Sequence, residues 1–161
     1  MRILGVDPGL SATGYAIVDM INRKLVLVEA GIIKPQSKNI ELADKLKSIY
    51  HDFMNILEEF NPEQVSIEEL YSHYQHPRTA IIMGHCRGSI MLACAQAELV
   101  IHSYNATKIK KAVTGNGRAS KEQVSASVTR YFNLDKPPSP ADVTDAMAAA
   151  MTLANELMHG F

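Results

Sequence analysis

This sequence has almost no excess of positive over negative charge, or the reverse. Its 161 residues carry 16 Lys and Arg against 17 Asp and Glu, a formal net charge of −1 with His neutral. The chain as a whole is no polycation, so nucleic-acid binding would need positive charge gathered on one face. Cysteine is scarce. Cys86 and Cys94 stand eight residues apart in one apolar stretch, a spacing that suits neither a disulfide framework nor a zinc ribbon. They read as buried thiols in a reducing compartment. No apolar run approaches the roughly 20 residues of a membrane span. The apolar run at Met1-Arg2-Ile3-Leu4-Gly5-Val6-Asp7 is too short for a signal peptide and ends at a carboxylate. Internal repeats and low-complexity tracts are lacking too. The expectation is a soluble cytoplasmic protein, off the membrane, with a single domain over residues 1–161.

What is present is an ordinary globular composition, 47% apolar and 20% charged, enough to bury one core. Residues 2–7 read as a short buried strand, 9–14 as a turn, 15–19 as a second strand and 24–34 as a third, an antiparallel meander. Leu42, Leu46, Ile49, Phe53, Ile56, Leu57 and Phe60 recur at helical spacing, in a helix opened by Asn39 and stopped by Asn61-Pro62. A strand over 64–68, a loop over 71–78 containing Pro77, a helix over 79–98 and a strand over 99–104 follow. Asn105 opens a short helix that ends near Gly115. Ser120 and Gln123 form a capping-box pair for a helix to about Tyr131. Ser139 as cap and Pro140 in the first turn open a last helix to about Met158. Gly84 and Gly88 are costly inside the second helix unless backbones pack closely there, which makes that helix a candidate for a two-fold interface. The order β-β-β-α-β-α-β-α-α-α gives an α/β class with a mixed β-sheet flanked by helices.

Four acids stand at element ends. Asp7 ends the first strand and Glu68 the fourth. Asp142 and Asp145, three apart at the start of the last helix, share a face. Carboxylates against a sheet are expensive, and four together repel one another, so a divalent cation is the natural counter-charge. Hard oxygen donors suit Mg²⁺ or Mn²⁺. Each acid also has a plainer reading. Asp7 before Pro8-Gly9 fits an Asx-type turn, Glu68 fits a solvated strand end beside Glu69, and Asp142 and Asp145 fit acids complementing a helix dipole. Alternation puts Ser66 and Glu68 on one side of the strand and Val65, Ile67 and Glu69 on the other, without saying which side faces a site.

Positive charge is concentrated in residues 104–130. Lys108, Lys110, Lys111, Arg118, Lys121 and Arg130 there face a single acid, Glu122, a net +5. That is the pattern of a phosphate-tracking face; solvated lysines on amphipathic helices are the alternative. Gly115 and Gly117 would let the intervening loop approach a nucleic-acid backbone closely.

Four blocks resemble the RuvC family of Holliday-junction resolvases. They are MRILGVDPGLSATG at the start, Ser66-Ile67-Glu68-Glu69-Leu70-Tyr71, Met83-Gly84-His85-Cys86-Arg87-Gly88, and Ala141-Asp142-Val143-Thr144-Asp145-Ala146-Met147-Ala148. They occur in the family's order and span nearly the whole chain. The resemblance implies an RNase H-like fold and a homodimeric, Mg²⁺-dependent endonuclease of recombination and repair. Its substrate would be a four-way DNA junction, and its partner a branch-migration helicase complex of the RuvA-RuvB type. Carried over by position, the catalytic and metal-binding acids are Asp7, Glu68, Asp142 and Asp145, and the match selects Glu68 over Glu69. Two Mg²⁺ ions per site, with Mn²⁺ able to substitute, would lie roughly 4 Å apart around the scissile phosphate and leave a 5′-phosphate and a 3′-hydroxyl. Lys110 and Lys121 match basic positions near the family's active site, and Lys121 would steady charge in the transition state. Tyr71 matches an aromatic position and would stack on an unpaired base, with Tyr74 adding to it. The loop over 72–78 departs from the family's frequent Lys-Asn, and His73, His76 and Arg78 supply positive charge in its place. Three rivals are an RNase H-like nuclease of the YqgF type acting on RNA, a junction binder that does not cut, and a fragment of an actin-like ATPase.

Overall fold

The computed structural model describes residues 1–35, 41–70 and 77–160. Arg2–Asp7 (β1), Thr13–Ile21 (β2) and Lys24–Ile33 (β3) form the antiparallel meander, with a bulge at Ile17/Val18. β2 begins at Thr13, before the turn signals end, because the Thr13 hydroxyl closes the turn early. Thr13 Oγ1 donates to the Gly9 carbonyl at 2.8 Å and accepts from the Gly9 N–H at 3.3 Å. Gly14 is therefore a strand residue, paired with Asp7.

Leu42–Phe60 (α1) ends on Asn61 in the left-handed region, φ 45°; its expected opener Asn39 lies outside the described residues. Gln64–Glu68 (β4) follows. Pro77–Gln96 (α2) starts two residues before the sequence reading, so Pro77 and Arg78 are helical rather than loop. Proline lacks only an N–H that the first helical turn does not use. Val100–Tyr104 (β5) leads into Ala106–Thr114 (α3), capped by Asn105 and closed by Gly115 at φ 79°. Lys121–Tyr131 (α4) carries the Ser120–Gln123 capping box. Ala141–His159 (α5) has Pro140 at its cap with no side-chain cap bond. Ser139 is thus not the cap: the carbonyl of Pro140 itself accepts from the Val143 N–H at 3.1 Å.

The five strands run in the order β3-β2-β1-β4-β5, with β4 parallel to both β1 and β5. α5 lies across one face over β1 and β2, flanked by α3 and α4, while α1 and α2 cover the other face. Cys86 and Cys94 are free buried thiols in α2. No described helix is long and apolar enough to cross a membrane. A Cβ at Gly84 or Gly88 would meet nothing within 4 Å, so the close backbone packing expected at those glycines does not occur among the described residues.

Candidate active site

Pairing places two of the four acids side by side. In the parallel register Gly5 faces Ser66 and Val6 faces Ile67, so Asp7 and Glu68 are the next neighbours along adjacent strands. Strand alternation turns both toward α5. Ser66 Oγ donates to the Ala149 carbonyl of that helix at 2.7 Å, and a Cβ at Gly5 would collide with the backbone of Ala146 and Ala150. Glu68 shares the side of Ser66 and is half-buried; Glu69, beyond the end of β4, is exposed and lines the same cavity as Asp7 and Glu68.

The first turn of α5 brings Asp142 and Asp145 to the same end of the sheet. It can do so because Gly14, beside Asp7, has no side chain: a Cβ there would overlap the Asp142 carbonyl. A glycine inside a strand often marks such an approach of another backbone, and that signal was present at Gly5 and Gly14. Thr13 and Ser66, buried and bonded to backbone, are supporting residues that sequence reasoning missed. Nothing in the local sequence distinguishes a buried hydroxyl from a surface one.

Electrostatics reflects the same convergence. The Asp7 carboxyl is pushed up to about 8, first by burial and then by Glu68, Asp145 and Asp142, against the pull of Lys121. Glu68 is raised as well, by burial and then Asp145, with Lys121 and Lys110 pulling it down. Lys121, the first residue of α4, brings Nζ to 3.5 Å from Asp145 Oδ2. The lysine side chain is 74% exposed, so this pair contributes little to stability. Its ammonium is held charged chiefly by Asp145. A cavity of about 230 Å³ opens beside Asp7 and Glu68, walled by Ala80 and Met83 of α2 and Ala106 of α3. A second, of about 460 Å³, lies between Lys121, Asp145 and the Pro137-Pro138 connector.

The four acids are hard oxygen donors, which fits Mg²⁺ or Mn²⁺ by chemistry. Among the described residues no three His, Cys, Asp or Glu side chains are already gathered as a metal cage.

The basic residues divide. Lys110 is close enough to act on Glu68. Lys108 is engaged elsewhere: Nζ donates to Glu156 Oε2 at 2.6 Å and lies 4.5 Å from the Tyr104 ring centroid. Lys111 joins Lys108 along a groove with Asn155, Glu156 and His159. Arg78 and Arg118 are exposed. Tyr71, Tyr74, His73 and His76 lie outside the described residues.

Three antiparallel strands followed by two parallel ones, under a helix crossing the central pair, define the RNase H-like class. Comparison with known proteins narrows it. The family profile described as "Crossover junction endodeoxyribonuclease RuvC" matches residues 3–153. The protein of that name from Rhodopirellula baltica is 44% identical over 149 residues, covering 92% of this chain and 83% of that protein. Its counterpart from Halothermothrix orenii is 42% identical over 155 residues, covering 96% and 93%. The structure of Thermus thermophilus RuvC in complex with Holliday junction substrate matches with a TM-score of 0.91 at 28% identity, over 99% of this chain and 96% of that one. The chain belongs to the RuvC family of crossover junction endodeoxyribonucleases, and it is a nuclease.

Proposed function

We propose that this protein resolves Holliday junctions in recombination and repair by nicking two opposed strands of a four-way DNA junction. The single observation that carries the reading is Asp7. Its carboxyl is half-buried at a strand end among Glu68, Asp142 and Asp145 and pushed up to about 8. A fold gains nothing in stability from such a group, whereas a site that must hold cations against a phosphate does. The solved complex of Thermus thermophilus RuvC with a junction supports the choice of substrate.

Asp7, Glu68, Asp142 and Asp145 would hold two Mg²⁺ ions, with Mn²⁺ able to substitute. When bound, the ions supply Lewis-acid chemistry at the scissile phosphate, and cleavage leaves a 5′-phosphate and a 3′-hydroxyl. Asp7 must give up its proton to serve as a ligand. Lys121 is already turned toward the acids and would place its ammonium against the phosphate. Lys110 adds charge beside Glu68. Lys111, Arg118 and Arg78 would follow the backbone of the arms, Lys108 joining them on leaving Glu156. Tyr71 and Tyr74 would stack on bases at the crossover. The chain would work as one domain over residues 1–161, in the cytoplasm, beside a branch-migration helicase complex of the RuvA-RuvB type. A homodimer matches the symmetry of a junction with two equivalent strands to cut. The outer side of α2 favours it: Ile81 and Leu92 are 63% and 55% exposed, in line with Gly84 and Gly88.

The test uses a mobile four-way junction and a linear duplex of the same sequence, end-labelled, in Mg²⁺ or in EDTA. Paired symmetric nicks in the junction alone, and with Mg²⁺ alone, are expected. Asp7→Asn and Glu68→Gln should abolish them and keep junction binding. Binding without nicking would make the protein a junction binder, and indifference to the junction would direct attention to RNA.

A further inference from the structure

The end of β4 is gripped from the face opposite α5. Arg87, in the middle of α2, is half-buried. Its Nε donates to the Glu68 carbonyl at 3.3 Å, and one Nη donates to Ser103 Oγ of β5 at 2.8 Å. The other Nη lies 3.1 Å from Met91 Sδ, one turn further along α2. The peptide unit after Glu68 is held at its other end too, because the Glu69 N–H donates to the Tyr104 carbonyl at 2.9 Å. With both polar ends fixed, the plane of that peptide is fixed, and with it the direction in which the Glu68 side chain leaves the strand.

Among the described residues Arg87 forms no ion pair. Its donors go to a carbonyl, a hydroxyl and a thioether. A guanidinium spent in this way serves through the geometry of its fork, which the single ammonium of a lysine does not reproduce. The backbone contact falls on the residue whose carboxylate is proposed as a metal ligand. The geometry points to Arg87 as a positioning residue for the nuclease reaction: bridging α2, β4 and β5, it sets the orientation of the Glu68 carboxylate. This rests on the reading of Glu68 as an active-site acid.

The experiment compares wild type, Arg87→Met, Arg87→Lys, Ser103→Ala and Glu68→Gln in single-turnover junction cleavage, with amide hydrogen exchange followed by NMR in EDTA. Arg87→Met should cut about 10- to 100-fold more slowly with junction affinity within about threefold of wild type. Its Glu69 amide should exchange roughly tenfold faster, while the amides of β1 keep their protection. Arg87→Lys should recover part of the rate. Ser103→Ala, which removes one acceptor only, should shift rate and exchange the same way by less; it decides the question if Arg87→Met does not fold. Wild-type rate and wild-type Glu69 exchange in these variants would overturn the inference. So would a loss of protection throughout β1, the mark of a general structural role. If Glu68→Gln cuts at the wild-type rate, the active-site reading itself falls, whatever Arg87 does.

Discussion

The two faces of the sheet are packed by different rules. Toward α1 and α2 the strands present Leu4, Val6, Ile17, Val65 and Ile67, which meet Ile49, Phe53, Leu57 and Ile90. Toward α5 they also present large residues, Ile3 and Val18 among them, but next to the acids they present Gly5, Gly14, Ala16 and Ser66, which meet Ala146, Ala149 and Ala150. Large branched side chains bury much apolar area and tolerate small shifts by repacking. Small ones bring backbone against backbone and leave the helix one position. The acids of α5 sit on the small-residue side. The large-residue face supplies stability, and the small-residue face supplies the accuracy with which Asp142 and Asp145 meet Asp7 and Glu68.

Gly14→Ala is the hardest blow to that comparison. The new Cβ would overlap the Asp142 carbonyl, which is backbone and cannot swing aside, so the start of α5 must lift. A displacement near 1 Å is enough to cost about 100-fold in rate. We expect at least that loss in single-turnover cleavage, with junction binding retained. A normal rate in Gly14→Ala would show that the contact does not set the position of the acids.

Phe53→Ala probes the other face. Phe53 is wholly buried between α1 and the sheet, and the cavity left behind should cost about 3–5 kcal/mol of stability. Urea denaturation would measure the loss. At a temperature where the variant is folded, its cleavage rate should match wild type. A rate loss as large as that of Gly14→Ala would erase the division of labour between the faces.

The same division governs what was legible in the sequence. Phe53 and its neighbours announce themselves by spacing, so α1 and its buried side followed from periodicity. β1, β4 and the end positions of Asp7 and Glu68 followed from short apolar runs. The order β3-β2-β1-β4-β5 did not, because periodicity says nothing about which strands pair. Gly14 reads as a turn residue, and only the pairing with Asp7 shows that it makes room for α5. Pro77 reads as part of a loop and proves a helix opener, since proline is harmful only beyond the first turn. Glu68 was chosen over Glu69 by resemblance; the Ser66 bond that shows which side of β4 faces α5 is tertiary. Lys108 belongs to a basic run in sequence, yet Glu156, 48 residues away, takes its charge.

A smaller effect sharpens the contrast further, because the α5 face stores an electrostatic cost that the other face lacks. The Asp7 carboxyl ordinarily titrates at 3.8, and the folded protein pushes it up to about 8, by burial first and then by the neighbouring acids. Between these values the native state holds a proton that the unfolded chain has released. The stabilisation linked to that proton is complete below pH 4 and is lost as pH rises toward 8, after which the curve flattens. Wild type in EDTA should therefore lose stability from pH 5 to pH 8, and Asp7→Asn should lose much less. The gap above pH 8 should be on the order of a few kcal/mol. With Asp7 as the proposed ligand, Mg²⁺ would compete with the same proton, so adding it should stabilise wild type more at pH 8 than at pH 6 and leave Asp7→Asn less affected. Urea denaturation at pH 5, 6.5, 8 and 9 settles the sign. Parallel curves for the two proteins would mean that the carboxyl at position 7 escapes into water, and with it the crowding that makes this end of the sheet a place for cations.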